Sequence, residues 1–137
     1  MEVAASFVSI ANGGKLLQPQ VVKEIIDSKK NPIEEIKPKV IRENFIKPEN
    51  LQIVREGMRQ AVTSGSATGW LDQLRVPAAA KTGTAELGKE FYNNWVTVFA
   101  PYEDPQIVLT IIIENVKGVQ TAALPVAKAV LEWYFAR

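Results

Sequence analysis

Lys81-Thr82-Gly83-Thr84 sets an ammonium, two hydroxyls and a glycine in consecutive positions, between Ala78-Ala79-Ala80 and Ala85-Glu86. In an extended strand successive side chains alternate, so the spacing predicts Lys81 and Gly83 on one face and Thr82 and Thr84 on the other. Gly83 leaves the lysine's face bare, and a glycine inside a strand marks close approach by a ligand or another backbone. Such an edge suits an anionic acyl substrate. Backbone N–H groups would bind along it, the threonine hydroxyls would meet a carboxylate, and Lys81 would supply positive potential. Alone the motif is unspecific, since Lys-Thr-Gly-Thr arises by chance in roughly two of every thousand chains of this length. Ala80 removes one rival, because a phosphate-cradling loop places glycine directly before Lys-Thr.

Composition bounds what the rest of the chain can be. At 137 residues and 47% hydrophobic content, it is long enough for one domain with a real core. Sixteen basic against fifteen acidic residues leave a net charge of +1, which argues against a nucleic-acid partner. Cysteine and histidine are both absent, which removes a disulfide framework, a thiolate or zinc site and a histidine base. No metal and no cofactor are expected. The most apolar run, Ile107 to Ile113, is far short of a membrane span. Glu2 directly after Met1, with no basic segment before the apolar residues, predicts no signal peptide.

The elements that must position the motif read as follows. Val3, Phe7 and Ile10, with Ala4 and Ala11, recur at helical spacing and stop at Asn12-Gly13-Gly14. Because this helix begins abruptly, Met1 is expected to be an internal residue of something longer. Val21 to Ile26 and Ile33 to Ile41 are β-leaning runs around Ser28-Lys29-Lys30-Asn31-Pro32, a charged hairpin appendage over about residues 20–42. Pro48 and Glu49 suit the first turn of a helix whose apolar face is Leu51, Val54, Met58 and Val62, ending at Ser64-Gly65. Ser64 to Gly69 is expected to be a flexible crossing to Trp70. Pro77 opens the Lys-Thr-Gly-Thr strand, Gly88-Lys89-Glu90 turns it, and Asn94 to Ala100 and Ile107 to Ile113 follow as strands. Val119, Ala122, Ala123, Val126, Ala127, Val130, Leu131 and Tyr134 give a closing helix. Pro125 is tolerated only in its first turn, so it starts near Thr121 or Ala122.

The predicted class is α+β, an antiparallel sheet packed by helices. Ile107 to Ile113 is as apolar as a central strand, yet the order of connections leaves it at an edge. An exposed apolar edge is an aggregation hazard, so one or more strands are expected outside these residues.

Around the motif the sequence resembles a family. Ser64-Gly65-Ser66-Ala67-Thr68-Gly69-Trp70, Ala80-Lys81-Thr82-Gly83-Thr84-Ala85-Glu86, Asn94-Trp95-Val96 and Phe99-Ala100-Pro101 resemble the C-terminal part of the transpeptidase domain of class B penicillin-binding proteins. Ala11-Asn12-Gly13-Gly14, Pro19 and Val22-Lys23-Glu24-Ile25 are similar to the segment before it. The likeness runs in order from about residue 2 to residue 135, making residues 1–137 a single partial domain of a β-lactamase and transpeptidase-like fold.

The resemblance implies an enzyme that cross-links peptidoglycan, in which a serine attacks the D-alanyl-D-alanine end of a stem peptide and is acylated by β-lactams. Lys81 would set the proton and electrostatic network. Thr82 and Thr84, beside Gly83, would hold the substrate or antibiotic carboxylate, and the Thr84 N–H would be half of the oxyanion hole. The family's setting is the extracytoplasmic face of the bacterial cell membrane. One departure is large: the family's Ser-x-x-Lys nucleophile and Ser-x-Asn element are absent, as serines stand only at 6, 9, 28, 64 and 66, none followed by such residues. These residues are therefore expected to form one wall of a site, inactive alone and completed by the missing N-terminal part of the same domain. A β-lactamase or penicillin-sensing domain, a non-enzymatic binding module, and a small α+β domain with a chance motif are the alternatives. Trp95, Phe99, Trp133 and Tyr134 read as packing residues. Ser64, Ser66 and Thr68 fit the lining of the cleft and a small-residue linker equally well.

Overall fold

Val96, Val98 and Ala100 leave one side of a strand while Thr97 and Phe99 leave the other, and all five are buried. A strand buried on both faces needs neighbours along its edges and cover above and below. In the computed structural model, which describes residues 1–137, this strand is β6 (Phe91–Ala100). It lies between β5 (Ala79–Gly88) and β7 (Ile107–Lys117) in an antiparallel sheet of order β5-β6-β7. Lys89 and Glu90 turn β5 into β6, both with positive φ, the conformation tight hairpin turns demand. The ladder pairs Ala79 with Phe99, Lys81 with Thr97, Gly83 with Trp95 and Thr84 with Asn94.

Each face has its own cover. On one, α3 (Ala123–Phe135) lays Leu124, Ala127 and Leu131 on Val96, Val98 and Ala80. On the other, α1 (Glu2–Ala11) brings Phe7, Ile10 and Ala11 to Phe99. A third helix, α2 (Pro48–Thr63), lies along the β5 side and supplies Val62 to the first core and Met58 to the second. Full burial of a side chain the size of leucine contributes roughly 2 kcal/mol, so Leu71, Leu124 and Leu131 together fix α3 and the segment after α2 in place. Arg59 Nη1 donates to the Ala78 carbonyl at 2.8 Å, closing the start of the β5 edge against α2. Pro125 falls in the first turn of α3, where its missing N–H costs nothing.

Several expected packing positions differ. Val54 and Val126 are exposed, and Leu124 takes the inward place on α3 that periodicity gave to Val126. Trp133 is 60% exposed, with the Arg137 guanidinium stacked 3.4 Å from its ring centre, so it is not a core residue. Phe99 is buried as expected, whereas Trp95 is only half-buried. The outer edge of β7 has no strand partner, and Ile112 on it is 38% exposed.

The segment between α1 and α2 forms two short ladders rather than one hairpin. β2 (Glu24–Ile26) pairs with β3 (Pro32–Glu35), while β4 (Val40–Arg42) returns to β1 (Leu16–Leu17). Pro38 interrupts the second run, since proline cannot donate to a ladder, and a two-residue strand at Leu16–Leu17 is too short to show a period. All of β2, β3 and β4 is exposed. The tip is held by Asp27, whose Oδ1 accepts from the Lys29 and Asn31 amides at 2.8 Å each. The Asn31 side-chain amide and then its backbone N–H hold the Asp27 carboxyl below its ordinary value.

Candidate functional site

Beyond Ala80 the β5 strand leaves the core. Ala79 and Ala80 are fully buried, Thr82 and Gly83 are half-buried, and Lys81 and Thr84 are exposed. Register places Lys81 and Gly83 on the α1 face and Thr82 and Thr84 on the α3 face. No strand pairs with the outer side of β5, so alternate backbone N–H and C=O groups along Lys81–Thr84 face outward. The close approach at Gly83 is made by a side chain: a Cβ there would stand 3.4 Å from the Cβ of Trp95. Lys81 Nζ turns back onto the Thr82 carbonyl oxygen and has no carboxylate partner. The one ion pair in the chain is Lys128–Glu132.

A cleft of about 170 Å³ opens on the threonine face, lined by Ser66, Thr82, Thr84, Asn94 and Thr121 among others. Ser66 reaches it from the segment after α2, and its Oγ lies 2.7 Å from Thr82 Oγ1. That segment is not the flexible crossing its small residues suggest. The Ala67 amide donates to the Ala61 carbonyl at 2.9 Å, and Thr68 Oγ1 donates to the Val62 carbonyl at 3.1 Å. Both satisfy carbonyls that the helix end would otherwise leave open. Gly65 permits the reversal, because a Cβ there would fall 2.8 Å from Ala61 Cα. Ala67 is fully buried, and the Gly69 amide donates to Asp72 Oδ1 at 2.7 Å. Small residues here serve tight packing, a reason composition alone cannot separate from looseness.

Asn94 forms the floor of the cleft and is 1% exposed. Its Nδ2 donates to the Val119 carbonyl at 3.1 Å, and its Oδ1 accepts the Ala122 amide at 3.0 Å. The α3 N-cap, Ala122, has no capping side chain of its own, so Asn94 caps the helix from β6. One polar residue thereby ties the strand opposite Thr84 to the Gln120–Thr121 wall. Asn94→Leu strands a donor and an acceptor and is expected to cost about 2–3 kcal/mol, read as a lower denaturant midpoint at unchanged slope. An asparagine directly before the mostly apolar run Trp95–Ala100 was the available sequence signal for this role.

Nothing in the site gathers metal ligands, and no set of three or more acidic residues converges elsewhere. The largest hollow, about 500 Å³, lies between residues 44–48 and α2, away from Lys81. Its arginine, Arg55, is already engaged by backbone carbonyls.

The family model described as the penicillin-binding protein transpeptidase domain matches residues 1–132. Penicillin-binding protein 2A of Bacillus subtilis is 30% identical over 128 residues, covering 82% of this chain and 18% of that protein. The D,D-transpeptidase domain of a peptidoglycan glycosyltransferase from Eggerthella lenta superimposes with a TM-score of 0.78 at 29% identity, covering 99% of this chain and 32% of that one. Penicillin-binding protein A from M. tuberculosis, solved as an imipenem acyl-enzyme complex, gives a TM-score of 0.75 at 26% identity, covering 96% of this chain and 29% of that one. The chain thus spans between about a fifth and a third of these relatives.

Proposed function

Because the chain belongs to the penicillin-binding protein transpeptidase domain family, we propose that it forms the Lys-Thr-Gly-Thr wall of a serine D,D-transpeptidase site that cross-links peptidoglycan stem peptides. The observation that carries this reading is the free β5 edge, where an ammonium without a carboxylate partner, two hydroxyls and outward backbone amides line up within Lys81–Thr84. The attacking serine comes from outside residues 1–137. It adds to the penultimate D-alanine carbonyl of a stem peptide, or to the β-lactam carbonyl, and the electron pair of the C=O moves onto oxygen. The Thr84 N–H donates to that oxyanion, and a donor aimed where charge develops stabilises the transition state by about 3 kcal/mol. Terminal D-alanine then leaves with a proton, and an amine of a second stem takes the acyl group.

In this reading Lys81 holds positive potential under the reacting centre and keeps the neighbouring proton carriers in their working state. Thr82 and Thr84 bind the terminal carboxylate, shared by the D-alanyl-D-alanine end and by penicillins. Relatives named for peptidoglycan transpeptidation and for a β-lactam acyl-enzyme support both ligands. The working site lies on the extracytoplasmic face of the membrane, where peptidoglycan is. No helix of this chain is long and apolar enough to cross a membrane. The unpaired β7 edge is where further strands of the same domain complete the sheet.

Intact mass spectrometry tests this directly. The longer protein carrying these residues, incubated with benzylpenicillin, gains one acyl adduct on a serine outside residues 1–137, and residues 1–137 alone gain none. An adduct on Ser6, Ser9, Ser28, Ser64 or Ser66, or no adduct on the folded longer protein, would overturn the assignment.

A further inference from the structure

We propose that Ser66 is a positioning residue for carboxylate recognition, donating its hydroxyl proton to Thr82 Oγ1 and so aiming the Thr82 proton into the cleft. The inference rests on the reading of Thr82 given above and extends it to a residue on another element. Ser66 Oγ and Thr82 Oγ1 are 2.7 Å apart, and neither atom has another side-chain partner. A hydroxyl carries one proton and can accept as well as donate. An ionised carboxylate only accepts, so a Thr82 hydroxyl that donates to Ser66 has no proton left for the ligand and turns lone pairs toward it. Reversing the pair solves both problems. Ser66 donates, Thr82 accepts and passes its own proton on, and each bond polarises the next.

The segment that carries Ser66 is built to hold it there. Gly65 reverses the chain where a Cβ would stand 2.8 Å from Ala61 Cα, Thr68 Oγ1 anchors to the Val62 carbonyl, and Ala67 is buried beneath the loop. None of these contacts uses the Ser66 hydroxyl. The side chain could be shortened without loosening the loop, which makes its contribution separable from folding. Ser66, Thr82 and Thr84 line one cleft, so all three hydroxyls meet the same solvent-filled space.

The experiment compares benzylpenicillin with its methyl ester as acylating agents of the longer protein. Ser66→Ala is expected to lower the second-order acylation rate for the free acid about fivefold to tenfold, in line with a hydrogen bond to a charged acceptor. The ester, which offers no anion, is expected to lose less than twofold. Ser66→Thr restores the free-acid rate. In the Thr82→Val background, Ser66→Ala adds nothing further, because the proton it orients is gone. Equal losses for acid and ester, failure of threonine to rescue, or additivity with Thr82→Val would each overturn the proposal.

Non-covalent binding of the same pair, followed through the Thr82 and Thr84 amide signals, reads the same selectivity without an acyl step. If the longer protein is not acylated at all, the catalytic reading fails while this measurement still decides the role of Ser66. Loss of acid-over-ester preference in Ser66→Ala supports it there, and an unchanged preference overturns it.

Discussion

Lys81→Ala in the longer protein is expected to slow acylation by benzylpenicillin on the order of 10²- to 10³-fold, with unfolding shifted by no more than about 0.5 kcal/mol. The two halves of that expectation come from one fact. Lys81 is exposed, makes no ion pair, and its ammonium hydrogen-bonds only to the carbonyl of the next residue in its own strand. A structural lysine would be paired or would cover apolar surface with its stem. This one leaves its charge available to whatever enters beside β5. Lys81→Arg should recover little, since a planar guanidinium replaces a compact point charge with a wider fork. Stopped-flow acylation alongside a melt separates the outcomes. A loss under fivefold, or a large loss that tracks unfolding, would remove Lys81 from the site.

Arg55→Ala is expected to cost about 3 kcal/mol of stability, the largest effect of any single polar substitution in the chain. Arg55 Nη1 donates to the carbonyls of Ile10 at 3.2 Å and Ala11 at 2.7 Å, and Nη2 donates to the Tyr102 carbonyl at 2.5 Å. Its guanidinium also lies 4.9 Å from the Phe99 ring centre and 5.3 Å from that of Tyr102. The last turn of α1 has no basic residue, so Arg55 supplies the positive charge that a helix C-terminus favours. Truncation leaves three carbonyls unpartnered and a hole beside a buried aromatic. Arg55→Lys is expected to recover less than half, because one ammonium cannot span acceptors on α1 and on the β6–β7 connection. Denaturant midpoints of the two variants read this directly. Equal stability of the wild type and Arg55→Ala would mean that solvent replaces all three bonds at no cost.

Acylation of Arg55→Ala would tell how far such damage spreads. Phe99 shares β6 with Trp95, which lies against Gly83, so the arginine and the candidate site are linked through one strand. The Asn94 cap makes a similar link on the opposite face.

Much of this was legible in the residues. Alternation over Lys81–Thr84 put the lysine and the threonines on opposite faces because a strand has a period of two, whatever it packs on. Pro125 marked the first turn of α3 because proline lacks an N–H and the first turn needs none. The unmatched apolarity of Ile107 to Ile113 pointed to an edge lacking a partner, since burial on two faces leaves a run without alternation. The ordered motifs from Asn12-Gly13 to Phe99-Ala100-Pro101 pointed to the family that the comparisons then showed.

Other features had no signature along the chain. Val54 and Val126 fit a helical stripe as well as Leu124 does, and only the position of the sheet decides which of them faces it. The loop at Ser64–Gly69 reads as loose because glycine and serine serve both flexible linkers and the tightest turns. Which of the two it is depends on Ala61, Val62 and Asp72 coming within reach. Arg55 and Asn94 likewise gained their roles from partners at a distance in sequence, on α1, on the β6–β7 connection and ahead of α3. By itself the sequence determined the periods, the stops and the chemistry-bearing strand, because these follow from local backbone geometry. Only the tertiary structure decided which polar groups satisfy one another across elements, and so placed the Ser66 hydroxyl on Thr82, because a hydrogen bond depends on distance in space and not on separation along the chain.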